Sequence, residues 1–266
     1  MIRIVVYSLI VVLLMVGYVK YLESSNIFFP SKKIEYSPSS ISLSFQDLYI
    51  QTEDNLKING WFIPNPEAKY TLLFLHGNAG NIADRLDKLK LLYQVPVNIF
   101  IVDYRGYGRS QGKPSEIGLY LDAQAAYRYL VNSENIQPEN IIVYGESLGG
   151  AVAMDLASAV KVKALISEGA FSSIRDMARV IYPWMPTFLL SVKFDSLAKI
   201  NKIEEPKLFI HSRDDEVVPF NLGQKLYNAA REPKKFYQLS GGHNDAFLEV
   251  PEEYLAVIEQ FINRLD

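Results

Sequence analysis

The segment Gly145-Glu146-Ser147-Leu148-Gly149 sets a serine between two glycines. In a chain of this size such a spacing arises by chance about one time in ten, so its surroundings decide whether it means anything. It follows Asn140-Ile141-Ile142-Val143-Tyr144, which reads as a strand, and precedes Leu148-Gly149-Gly150-Ala151-Val152-Ala153-Met154, which reads as a helix of small residues. A sharp turn between strand and helix exposes the serine oxygen above a sheet, and the glycines let the two elements approach closely. The start of the helix then points amide N–H groups toward developing negative charge. The chemistry of such a site is acyl transfer through a covalent serine intermediate.

A serine hydroxyl needs a base to take its proton. The chain has three histidines. His76 and His211 each end a strand pattern and read as structural hydrogen-bonding residues. His243, in Gly241-Gly242-His243-Asn244-Asp245 after the last strand, sits in a loop that can reach across a sheet. The acid that orients the base belongs between serine and histidine in chain order, at a strand end. Asp214, Asp215 and Glu216 all meet that condition, and spacing does not separate them. A second oxyanion donor beside the Leu148 N–H is expected from His76-Gly77-Asn78-Ala79-Gly80-Asn81. Asn78 is the expected donor, to within one residue either way, with Asn81 as N-cap of the helix that follows.

These residues need a scaffold, and the rest of the chain supplies one. Eight strand patterns cover residues 45–51, 56–63, 71–76, 98–104, 140–145, 163–168, 206–212 and 235–239, and helical patterns alternate with them. Alternation predicts a mostly parallel α/β sheet with helices on both faces. Continuous apolar runs such as Leu72-Leu73-Phe74-Leu75 predict strands covered on both sides. Residues 115–132 carry a one-sided stripe of Leu119, Ala123, Ala126 and Leu130, and 252–265 do the same with Leu255, Ile258, Phe261 and Ile262. Between strands six and seven, residues 171–204 form a long connection with Tyr182-Pro183-Trp184-Met185-Pro186, either a small cap over the site or a helix with a proline-broken end.

The first 22 residues depart from the rest. Residues 4–19 carry no charge between Arg3 and Lys20 and show no polar stripe. They lie near the lower end of the roughly 17–25 residues that span a bilayer, and no small-residue cleavage pattern follows. We expect an uncleaved membrane anchor over 1–22, a polar linker over 23–44 and the catalytic domain over 45–266. Arg3 favours a cytoplasmic N-terminus, against the weaker pull of Lys20, Lys32 and Lys33.

Composition narrows the chemistry. A formal charge of −3 with scattered Lys and Arg gives no surface for nucleic acid. The absence of cysteine excludes disulfides, zinc-thiolate sites and cysteine nucleophiles. No histidine or carboxylate pair has metal-ligand spacing, so neither metal nor cofactor is expected. Asp103-Tyr104-Arg105-Gly106-Tyr107-Gly108-Arg109-Ser110 is glycine-rich but lacks phosphate-loop spacing and reads as a strand-end turn. The sequence carries no signal for or against self-association.

As a set, several segments resemble the α/β-hydrolase superfamily over about residues 45–266. They are His76-Gly77-Asn78-Ala79-Gly80-Asn81, the Tyr104–Ser110 stretch with Gly112 and Pro114-Ser115-Glu116, Gly145-Glu146-Ser147-Leu148-Gly149-Gly150, Asp215-Glu216-Val217-Val218-Pro219, and Gly242-His243-Asn244-Asp245. Within the superfamily the chain looks most like the small membrane-attached group that includes protein depalmitoylases and their single-pass relatives. The depalmitoylases attach through an N-terminal cysteine cluster that is absent here. The resemblance implies that the acid is Asp215. It further implies a serine hydrolase acting on esters or thioesters of small-molecule or acylated substrates. An amide-cleaving aminopeptidase would share these residues, and a tethered non-catalytic scaffold would need none of them.

Overall fold

Strands that must be covered on both faces need helices on both, and the chain supplies them in alternation. The structure is a computed structural model that describes residues 2–265. It opens with α1 (Ile2–Asn26), β1 (Phe29–Pro30), β2 (Gln46–Gln51), β3 (Lys57–Ile63), β4 (Tyr70–Leu75) and β5 (Ala79–Gly80). Then come α2 (Leu86–Leu92), β6 (Val97–Val102), α3 (Glu116–Asn132), β7 (Ile141–Glu146), α4 (Leu148–Ala157) and β8 (Ala164–Glu168). The chain closes with α5 (Ile174–Ile181), α6 (Leu197–Ile200), β9 (Lys207–Ser212), α7 (Phe220–Ala229), β10 (Lys234–Leu239), α8 (Ala246–Glu249) and α9 (Pro251–Ile262).

The main sheet has eight strands in the order β10-β9-β8-β7-β4-β6-β3-β2. All eight predicted strands are present, shifted by a residue or two at their ends. Six strands, β4 and β6 to β10, run parallel, and β3 and β2 join antiparallel. Side-chain alternation splits the core in two. Leu73, Leu75 and Val143 face the layer with α3, α4 and α7, while Leu72, Phe74 and Ile142 face the layer with α2 and α9. Ser115 caps α3 by accepting the Gly118 N–H. Asn81 caps a 3₁₀ turn over Ile82–Arg85 that leads into α2, with Asp84 closing the box from the other side.

Strand order reverses at β4, whose neighbours β6 and β7 leave in opposite directions along the sheet. In open α/β sheets the crevice beyond the strand ends at such a point is where ligands bind. The loop after β4 carries Asn78 and the turn after β7 carries Ser147, with Leu75 paired in register to Gly145.

Helix α1 continues to Asn26, beyond the expected end of the anchor and into the segment read as linker. Its apolar side chains from Ile4 to Met15 are 45–71% exposed, whereas Val19, Glu23 and the following Ile27 are buried. The stretch Arg3–Glu23 is long and apolar enough to cross a membrane and fits a membrane anchor. After α1, β1 pairs with β5, so the chain leaving the helix lies directly on the Asn78 loop.

Candidate active site

Ser147 stands between β7 and α4 with φ 53° and ψ −117°, a conformation that costs a non-glycine residue on the order of 1–3 kcal/mol. The turn is held by its own N–H, which donates to the Glu168 carbonyl at 2.8 Å. The glycines around it have a steric reason. A Cβ on Gly149 would lie 1.9 Å from the Leu75 carbonyl oxygen, and one on Gly145 would lie 2.4 Å from that of Gly149.

His243 follows β10 and Asp215 follows β9, so the loops of neighbouring parallel strands bring both to Ser147. The Ser147 hydroxyl donates to His243 Nε2 at 3.0 Å, and His243 Nδ1–H donates to Asp215 Oδ2 at 2.7 Å. The other carboxylate oxygen of Asp215 accepts the N–H groups of Val217 and Val218 at 2.9 and 2.6 Å. Burial pushes the Asp215 carboxyl up, but the rings of His211 and His243 and the Val218 N–H outweigh it and hold the group well below the usual carboxylate range. The two acids beside it do other work. Asp214 accepts the Gly241 N–H, and Glu216 accepts the His243 N–H at 3.0 Å, anchoring the backbone of the histidine.

Asn78 and Leu148 line the same cavity as Ser147. Among the described residues neither of their backbone N–H groups donates to a protein acceptor. The loop that holds Asn78 is tied at several points. Its side chain donates to the Ile27 carbonyl at 3.1 Å, and its own carbonyl accepts the Phe29 N–H and the Tyr107 hydroxyl. The other two histidines are structural in this arrangement. His76 donates through Nδ1 to the Gly77 carbonyl at 2.7 Å, and His211 donates through Nε2 to the Val218 carbonyl at 2.9 Å, its ring 3.4 Å from Asp215. No cluster of three His, Cys, Asp or Glu side chains able to hold a metal occurs among the described residues.

The family profile for the alpha/beta hydrolase fold matches residues 70–196. Alpha/beta hydrolase domain-containing protein WAV2 of Arabidopsis thaliana is 37% identical over 257 residues, covering 88% of this chain and 83% of that one. The chain belongs to the α/β-hydrolase family. Human alpha/beta hydrolase domain-containing protein 17B is 38% identical over 202 residues, covering 75% and 68% of the two chains. An esterase from Pyrococcus furiosus shares the fold at a TM-score of 0.75 and 23% identity, covering 89% of this chain and 98% of its own.

Within this α/β-hydrolase site, three features escaped the sequence. The first is a buried charge cluster under the serine. Lys88 Nζ lies 3.1 Å from Glu146 and 2.9 Å from Glu168, Arg85 lies 2.9 Å from Glu146, and the hydroxyls of Tyr144 and Tyr254 donate to Glu168. A charged residue in the second position of the serine motif, and a lysine among the apolar residues of α2, were the available signals. The second is the bracing role of the glycine-rich turn after β6, where the Tyr104 hydroxyl donates to the His76 carbonyl at 3.0 Å and the Tyr107 hydroxyl donates to the Asn78 carbonyl. The third is Gly169, at φ +55°, where a Cβ would lie 3.1 Å from the His243 ring. Gly169→Ala is expected to lower kcat for p-nitrophenyl acetate between about ten- and a hundredfold through displacement of that ring. An unchanged kcat would show that the imidazole has room to spare.

Proposed function

We propose that the protein is a serine hydrolase that cleaves carboxylic esters or thioesters through an acyl-enzyme on Ser147, with residues 1–22 as membrane anchor. The observation that carries this reading is the continuous hydrogen-bonded line from Asp215 through His243 to Ser147, ending at a cavity walled mainly by apolar side chains. With its carboxyl held ionised, Asp215 keeps the imidazole proton on Nδ1 and leaves Nε2 free as the base. Nε2 takes the Ser147 proton as Oγ attacks the acyl carbonyl. The N–H groups of Asn78 and Leu148 receive the oxyanion, at the positive end of α4. His243 returns the proton to the departing alcohol or thiol, and a water activated by the same nitrogen then releases the acid.

A fluorophosphonate probe tests the assignment of the nucleophile, since it phosphonylates only an activated serine. Mass mapping after brief exposure is expected to find the adduct on the Ser147 peptide. An adduct on another serine, or none, would remove the basis for the reading.

A further inference from the structure

The cavity that reaches Ser147 has a volume of about 260 Å³, at the low end for small-molecule sites and suited to a narrow group such as an alkyl chain. Its walls are unusual in origin. Besides Ser147, the cavity is lined by Met177 and Met185 of the segment between β8 and β9, and by Leu22 and Asn26 of α1 with Ile27 just after it. We propose that the membrane helix is itself a wall of the acyl site, and that acyl chains reach Ser147 from within the bilayer. This rests on the acyl-transfer reading above and deepens it.

The docking of α1 is too well made for a loose tether. Glu23, 8% exposed, accepts the N–H groups of Ser191 and Val192 at 2.7 and 2.6 Å and the Ser191 hydroxyl at 2.8 Å, and pairs with Lys20 at 2.9 Å. One turn earlier Val19 is fully buried against Ala178, Met185 and Leu190. The carboxylate of Glu23, with all these partners, ties the end of α1 to the β8–β9 segment.

Length sets the depth. The sixteen uncharged residues 4–19 rise about 24 Å as a helix, short of the roughly 30 Å hydrocarbon core. The 21 residues Arg3–Glu23 rise about 31 Å. Filling the core therefore draws in the turn that is docked on the β8–β9 segment, where the Lys20–Glu23 pair carries no net charge. That segment then meets the interface, and its surface there suits that place. Trp184 and Phe188 are 61% and 77% exposed, and Trp184 stacks on Tyr18 with ring centroids 6.1 Å apart. Exposed Trp, Tyr and Phe beside an apolar span is the composition of a membrane-interface belt. The occupant of this patch is the bilayer, continuous with the span itself.

Two measurements on the full-length protein in phosphatidylcholine vesicles test this. The chain has two tryptophans, and Trp61 is 1% exposed, so quenching by lipids brominated in their acyl chains reports on Trp184. Quenching is expected in the wild type and not in Trp184→Phe. Its absence would overturn bilayer contact whatever the enzyme does, and a concentration-dependent dimer that shields Trp184 would reassign the patch to a second copy. For the wall, Leu22→Trp is expected to lower the ratio of kcat/KM for p-nitrophenyl decanoate over acetate at least tenfold, while Leu14→Trp, on the exposed part of α1, leaves it unchanged. Equal losses on both esters, or none, would overturn the wall. Failure of the wild type to turn over either ester would strike the acyl-transfer reading and the pocket with it, but not the quenching result.

Discussion

Ser147→Ala is expected to lower kcat/KM for p-nitrophenyl acetate by about 10⁴-fold or more, while the thermal midpoint moves by no more than a degree or two. The two halves of that expectation have separate grounds. In a hydrogen-bonded serine, histidine and acid, loss of the nucleophile alone removes nearly all the effect of the triad, leaving about 10³–10⁴-fold over water from oxyanion binding. The fold has little stake in the hydroxyl, since among the described residues its one side-chain hydrogen bond is to His243 and the turn is held through the Ser147 N–H. Initial rates on purified wild-type and variant protein, with melting curves alongside, make the comparison. A variant that keeps a tenth of the wild-type rate would mean that the ester is cleaved elsewhere.

The largest expected change in stability comes from beneath that serine. Arg85, Lys88, Glu146 and Glu168 form a cluster of two positive and two negative side chains, all at or below 14% side-chain exposure. Removing one partner of a buried ion pair leaves an uncompensated charge and costs about 3–5 kcal/mol. Lys88→Met keeps the volume and removes the ammonium that serves both carboxylates. It is expected to lower the midpoint by about 10 °C in a chain of this size. Lys88→Met combined with Glu168→Gln is expected to recover part of the loss, because the second change removes a carboxylate left unpaired. A single variant as stable as the wild type would show that water already reaches the cluster.

The pH dependence follows with a definite sign. Burial raises the Glu146 carboxyl, but Lys88 and then Arg85 outweigh it and hold the group well below its ordinary 4.5. A carboxyl depressed by folding contributes stability that is full above its unfolded value and is lost as pH falls through the folded one. The acid limb of the wild-type stability curve, below about pH 4.5, is therefore expected to flatten in Lys88→Met.

Legibility in the sequence tracks the distance between interacting residues. The central strands of the main sheet were visible because burial on both faces demands an uninterrupted apolar run, as in Leu72-Leu73-Phe74-Leu75, and that signal is local. Ser147 and His243 were visible because few residue types can do their work and chain order restricts where they lie. The choice among Asp214, Asp215 and Glu216 is made by which carboxylate faces the imidazole, a matter of loop geometry that spacing does not encode. Least visible were contacts such as Lys88 to Glu146, 58 positions apart, and Glu23 to Ser191, 168 apart. Lys88, Glu146 or Glu23 alone reads as a surface charge, and Ser191 as a surface hydroxyl. For α1, the lack of a polar stripe over residues 4–19 signalled an apolar helix, but its docked end carries a contact stripe of only Val19, Glu23 and Ile27, too short to stand out.

The β1–β5 pairing also bears on where the protein can be cut. Between the last turn of α1 and the Asn78 loop lies a strap of five residues, and Ile27, Phe29 and Ser31 all contribute backbone hydrogen bonds to that loop or the turn beside it. A soluble enzyme made by starting at residue 45 would lose this strap together with the helix. Trimming has to stop short of Ile27, so the solubility of a shortened protein and the rigidity of its Asn78 loop are traded within a few residues of chain.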